Sequence, residues 1–203
     1  MMKKLTAFFV LSMLVIGSLS AKILAPHFKI TESEEEFDVI YYVYDDVMEI
    51  VEDKNEDVAV TQAFKVRVDD VEGEIKYSLF TDTGTTEATR KQEMMMWAMM
   101  CLLNASGFSD VSALPNGSNF KDADVAKEFN GDFGFTCFIM NPTSGYAGDN
   151  TYMNVEFFYK AGQGIVMRSF LSKDVRFFGV NADGSVDFDA PFYKYYHTFK
   201  FKD

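Results

Sequence analysis

The chain has 203 residues, of which 48% are hydrophobic and 25% are charged, and its formal net charge is −12. This length is enough for one domain with a hydrophobic core of its own. The negative surplus repels phosphate backbones and anionic lipid headgroups, so it argues against nucleic acid and against an anionic membrane surface as partners.

The first twenty residues have the pattern of a secretory signal peptide. Lys3 and Lys4 precede an apolar stretch, Leu5 to Gly17, and Ser18-Leu19-Ser20 then places small residues where a signal peptidase cuts. The apolar stretch is shorter than the roughly 20 residues that span a bilayer. We therefore predict cleavage after Ser20 or, as second choice, after Ala21, and location in a bacterial periplasm or outside the cell. Removing residues 1–20 takes away two lysines and leaves 17 basic against 31 acidic residues, a charge of −14.

We expect residues 21–203 to form a single domain, with the segment up to about residue 32 extended or disordered. A helix is predicted over about 34–53, because Ser33 and Glu36 fit a capping box and apolar residues then recur at helical spacing. Seven of the nine acidic residues within this helix would lie largely on its outer side. The acidic cluster from Glu34 to Asp57 is expected to be a solvated face or, alternatively, a site for a divalent cation or a basic partner. Two alternating runs, 64–68 and 75–79, predict a hairpin with its loop at 69–73.

A second long helix is predicted to carry the uncharged stretch from Met94 to Leu103. Thr85 or Thr86 would cap its start and Gly107 would follow its end. The stretch is too short to span a membrane. Met95/Met99 and Met96/Met100 are pairs four residues apart whose thioethers suit Cu(I), but the two pairs point in different directions around the helix. The pattern therefore favours a buried helix with flexible methionines packed around Trp97.

A short helix, 122–129, and then strand after strand follow in the second half of the chain. The gaps between these segments are too short for crossover connections, which predicts antiparallel neighbours. The expected strands are 133–140, 152–160, 164–172, 175–180, 186–189 and 193–201. The fold class predicted is α+β: one domain with an antiparallel sheet of about five to seven strands and two long helices packed on one face.

The other face of this sheet is expected to be mixed. Phe138, Phe158 and Phe170 would share it with Glu156, Arg168 and Thr136. Such a face is solvated, lines an apolar groove or meets a partner. We expect these three rings to form the face that meets a protein partner or an apolar small molecule.

Two cysteines, Cys101 and Cys137, are compatible with one disulfide in an oxidising compartment or with two buried free thiols, and the sequence leaves both open. No motif for nucleophilic or metal catalysis is present, and His197 lies in an aromatic stretch where a packed histidine is expected. The segment 181–189 matches only part of a calcium loop. The sequence predicts no catalytic residue, no metal site and no cofactor.

The function predicted is therefore that of a secreted, non-catalytic binding or structural protein of the cell envelope. Two alternatives remain open: a carboxylate-based hydrolase of the envelope, because acidic residues are abundant, and a methionine-based copper-handling protein.

Overall fold

A computed structural model describes residues 28–31, 38–41, 48–51, 62–81, 87–109, 113–115, 117–181, 183, 185–197 and 199–202. The predicted signal peptide and its cleavage site lie outside these residues. The helices of the described part are α1 (Glu87–Ser106), α2 (Asp122–Phe129) and α3 (Pro191–Lys194), with a 3₁₀ helix η1 (Val175–Phe178). The strands are β1 (Phe28–Thr31), β2 (Asp38–Tyr41), β3 (Met48–Val51), β4 (Gln62–Val68), β5 (Val71–Thr81), β6 (Ser118–Asn119), β7 (Phe133–Met140), β8 (Tyr152–Lys160), β9 (Gly164–Ser172) and β10 (Phe199–Phe201).

Most of the strands form one antiparallel sheet in the order β3-β4-β5-β9-β8-β7-β6, with the two-residue β6 at one edge. The hairpins are tight: Val68 pairs with Val71 across a two-residue turn, and Lys160 pairs with Gly164. A smaller antiparallel sheet has the order β1-β2-β10. The α+β class and the antiparallel sheet predicted from the sequence are confirmed.

The large sheet has a hydrophobic core on each face. The first core lies between one face of the sheet and α2, η1, α3 and β10; the second lies between the other face and α1 with the loop 144–147. Every residue of β9 is buried, as are all residues of β8 except those at its two ends. The prediction of one core face and one open face is therefore wrong for the centre of the sheet, because the C-terminal segment folds back over the face that was expected to be open and forms the first core there.

The long helix predicted over 34–53 is not observed. The described residues of this range are strands, β2 and β3, so the arrangement of two long helices on one face is not confirmed. Val39, Ile40 and Tyr41 favour strand by their branched and aromatic side chains. Both segments also have antiparallel neighbours, β1 and β10 for β2 and β4 for β3, and such pairing overrides a helical spacing of apolar residues.

The other predicted elements are mostly confirmed, with three corrections near the C-terminus. The predicted strand 175–180 is mainly the helix η1, the predicted strand 186–189 is reduced to a single bridge between Val180 and Val186, and the predicted strand 193–201 is α3 followed by the short β10. Gly107 follows α1 as predicted: its φ is 75°, in the left-handed region, and its N–H donates to Leu103 O at 2.9 Å.

Candidate functional site

A row of polar side chains crosses the centre of the large sheet on the face of the first core. The strand register places Tyr77 opposite Arg168, Arg168 opposite Glu156 and Glu156 opposite Thr136. Residues that pair directly across neighbouring strands project to the same face of a sheet. Four strands therefore bring these polar groups together inside an otherwise apolar layer.

Arg168 and Glu156 form an ion pair that is inaccessible to solvent. Their side chains are 0% and 1% exposed, and the guanidinium donates from Nε at 2.8 Å and from Nη2 at 2.5 Å to Oε2 of Glu156. Two charge-assisted hydrogen bonds to one carboxylate oxygen are typical of an ionised pair. Arg168 Nη1 donates to the carbonyl oxygen of Tyr196 at 2.5 Å, which ties the pair to the C-terminal segment.

The network continues to the edge of the sheet through two neutral side chains. Asn154 Nδ2 donates to Glu156 Oε1 at 3.2 Å, and Thr136 Oγ1 donates to Asn154 Oδ1 at 3.0 Å. Burial raises the pKa of Glu156, while the charge of Arg168 and the hydrogen bonds from Arg168 and Asn154 act in the opposite direction. Burial acts against the charge on Arg168, but Glu156, Tyr77 and Tyr196 together outweigh burial and hold the pKa of Arg168 above its usual value.

Aromatic rings enclose the guanidinium of Arg168. Their centroids lie between 4.8 and 5.4 Å from its central carbon, close enough for cation–π attraction. The rings belong to Phe129, Phe158, Phe170, Tyr196 and Phe199. Phe129 belongs to α2, and Tyr196 and Phe199 belong to the C-terminal segment. The buried pair is therefore placed to hold both on the sheet.

The three rings expected to meet a partner, Phe138, Phe158 and Phe170, belong to the first core. Phe158 and Phe170 are 0% exposed and Phe138 is partly buried. Phe158 packs against rings of α2 and β10, and Phe170 against rings of η1 and α3. Phe138 packs against Phe178 of η1 at 5.2 Å. The sequence placed these rings correctly beside Glu156 and Arg168, but they do not form an open surface, because the C-terminal segment covers them.

A second buried cation lies on the opposite face of the sheet. Lys76 is 5% exposed, and its ammonium group donates to the carbonyl oxygen of Tyr146 at 2.7 Å and lies 3.5 Å from Glu74. Tyr146 in turn donates from its hydroxyl to Ser169 at 2.8 Å. These contacts attach the loop after β7 to the sheet.

The methionine-rich helix α1 has one buried side and one exposed side. Ala98, Cys101, Leu102 and Ala105 pack into the second core at helical spacing. On the opposite side Met96, Trp97 and Met100 are 65%, 60% and 54% exposed. The prediction that this run is core is therefore wrong for these three residues. The sequence signal for this orientation was the small side chains of Ala98, Cys101 and Ala105. They let α1 lie close to the sheet on that side, while the larger side chains face solvent.

The two cysteines lie in the second core, as expected for residues on apolar faces, and both are free thiols. The disulfide allowed by the sequence is not observed. Burial raises the pKa of Cys101 to about 11 and that of Cys137 to about 12. Both sulfurs are therefore protonated at neutral pH and are weak nucleophiles and weak metal ligands.

His197 packs in the aromatic cluster at the end of α2, stacked on Phe129 with 6.3 Å between ring centroids. Its Nδ1 is 3.6 Å from Glu128. Burial lowers the pKa of His197, and the charge of Glu128 opposes this shift. These contacts confirm that His197 is a packed histidine, as the sequence predicted.

The chain matches no protein-family model, and no curated protein is significantly similar to it.

Within the part of the chain that the structure describes, no helix is long and apolar enough to cross a membrane. The same residues include no group of three or more His, Cys, Asp or Glu side chains placed to hold a metal ion. The exposed side of α1 is the candidate site that remains.

Proposed function

We propose that this protein is an exported, non-catalytic binding protein and that its contact surface is the exposed side of α1. The observation that carries the proposal is the exposure of Met96, Trp97 and Met100 on a helix whose opposite side is buried. Large apolar side chains grouped at a protein surface mark interaction sites. Trp is the residue most often found at the energetic centre of an interface, and flexible Met adapts to the shape of a partner.

The occupant that fits this surface is a basic amphipathic helix of another protein. Such a helix would lay its apolar side on Met96, Trp97 and Met100 and keep its cations towards the rest of the chain. The net charge of −12 attracts a basic segment, whereas it repels a second copy of this chain and an anionic lipid surface. Charge therefore favours a basic helix over the other partners that an apolar strip could bind.

The hydrolase alternative has less support. A carboxylate hydrolase needs two carboxyl groups that face each other across an open cleft. The only carboxylate buried in the described core, Glu156, is enclosed and paired with Arg168. The exposed strip on α1 therefore remains the basis of the proposal.

A synthetic amphipathic peptide of Lys and Leu tests this surface, with a Glu and Leu peptide of the same length as control. Trp97 is the only tryptophan of the chain, so its fluorescence reports contact directly. We expect saturable binding of the basic peptide, and Trp97→Ser should weaken it about tenfold or more, as measured by anisotropy of labelled peptide. Met140→Ser is the matched control, because Met140 is 49% exposed but belongs to β7. Equal binding of the acidic peptide, self-association or binding to anionic vesicles instead would contradict the proposal.

A further inference from the structure

We infer that Met96, Met100 and Trp97 also form a binding site for a soft monovalent metal ion of the Cu(I) class. This inference goes beyond the proposed function and rests on different chemistry, namely thioether sulfur in place of apolar area. Thioethers are soft ligands that prefer Cu(I) to the harder divalent ions. The sequence offered two methionine pairs, and the exposure of the side chains distinguishes them. Met96 and Met100 are both more than half exposed, whereas Met95 and Met99 are partly buried.

The spacing of the exposed pair suits two-coordinate binding. Residues four apart on a helix have Cβ atoms about 5–6 Å from each other. Zinc–thiolate bonds are about 2.3 Å long, so a nearly linear sulfur–metal–sulfur unit with bonds of similar length spans roughly 4.6 Å. Two flexible methionine side chains can therefore place one sulfur on each side of an ion without distorting α1.

Trp97 supplies the third contact. It precedes Met100 by three residues, a spacing that makes two residues neighbours on a helix surface, and its side chain is 60% exposed. The face of an indole attracts a cation that lies within about 6 Å of its centroid. An ion held by the two thioethers would lie beside this ring, which shields it from water and makes Trp97 fluorescence sensitive to binding.

The stronger sulfur ligands of the chain do not compete for such an ion in the folded state. Cys101 and Cys137 are buried on the far side of α1 and on β7, and burial keeps both thiols protonated. A soft ion arriving from solvent therefore meets the exposed thioethers of Met96 and Met100 before it meets either thiol. This order of access is a property of the fold, since thiolates would otherwise bind such an ion more tightly.

Titration of the whole folded protein with Ag(I), a redox-inert substitute for Cu(I), tests the site. We expect saturable quenching of Trp97 fluorescence at one ion per chain. The double variant Met96→Leu/Met100→Leu should lose this response, because Leu keeps the apolar area and removes both sulfurs. Met95→Leu/Met99→Leu is the matched control and should respond like the unchanged protein. Labelled methionine methyl groups should show NMR shifts at Met96 and Met100.

Several results would overturn the inference: no saturable quenching, quenching that persists in Met96→Leu/Met100→Leu, or NMR shifts confined to other methionines. The peptide experiment remains separate from this one. On the unchanged protein, peptide binding is measured by anisotropy without Ag(I), and metal binding is measured by Trp97 quenching without peptide. Loss of metal binding with peptide binding retained, or the reverse, therefore shows which of the two proposals has failed.

Discussion

Arg168 is the largest fully buried side chain of the described residues, and the carboxylate of Glu156 balances its charge. Moving such a charge from water into a protein interior costs several kcal/mol, which is recovered only when good hydrogen bonds replace water. Glu156, the Tyr196 carbonyl and the enclosing rings provide these contacts. Because Tyr196 belongs to the segment that covers the sheet, the pair acts as a specific attachment point for that segment as well as a local contact.

Glu156→Gln should lower the free energy of unfolding by about 3–5 kcal/mol, because it removes the carboxylate that balances the buried guanidinium of Arg168. Arg168→Met should have a cost of similar size, because the Glu156 carboxylate then has no cation. In Glu156→Leu/Arg168→Met both charges are absent, so we expect a loss well below the sum of the single losses. Urea unfolding monitored by circular dichroism measures all three. Strictly additive losses would show that the two charges are not coupled.

At the scale of single elements, α1 has one side in the core and one side in solvent. Its inner side presents Ala98, Cys101 and Leu102 to the sheet, and its outer side presents Met96, Trp97 and Met100 to solvent. Between Met94 and Leu103 both sides of the helix are apolar. The usual contrast between polar and apolar sides is therefore missing from this stretch of the sequence.

The two cysteines between α1 and the sheet should titrate as free thiols. Without reductant, we expect both Cys101 and Cys137 to react with a thiol reagent in denaturant, and neither to react at a measurable rate in the folded protein near pH 8. The raised pKa values of about 11 and about 12 leave almost no thiolate at that pH, and burial blocks access. Two thiols that become reactive only after reduction would instead establish a disulfide in the native protein.

At the scale of the whole molecule, the protein consists of a large sheet covered on both faces and a strongly acidic surface. The two cores explain why an aromatic content of 16% leaves few large rings exposed. The described residues with large apolar exposed side chains are Met96, Trp97, Met100, Met140 and Phe188. Three of these five are neighbours on α1, which is why the proposed contacts concentrate there.

Export is a prediction of the whole chain, and N-terminal sequencing of the secreted protein measures it. We expect the mature protein to begin at Ala21 or Lys22, and Leu14→Arg should retain the uncleaved precursor in the cell, because a charge interrupts the apolar stretch. Leu24→Arg is the matched control, because it lies beyond both cleavage positions. A mature protein that still begins at Met1 would contradict this prediction.

Local patterns determined much of this protein. Alternation identified β4, β5, β7, β8 and β9, the short helix α2 was predicted at its observed bounds, and Glu156 and Arg168 were assigned to the same sheet face as Phe158 and Phe170. These features depend on residues close together in sequence, where side-chain direction follows directly from backbone geometry. The acidic surplus, too, is a property of composition alone.

The tertiary structure decided what covers each face. The range 34–53 has a helical spacing of apolar residues, yet β2 and β3 pair with strands that are distant in sequence. Likewise the C-terminal aromatic segment closes over Phe158 and Phe170 and turns an expected surface into a core. The exposure of Met96, Trp97 and Met100 follows from which side of α1 faces the sheet. Contacts between distant segments determine all three outcomes, because burial depends on what lies opposite a residue and not on its neighbours in the chain.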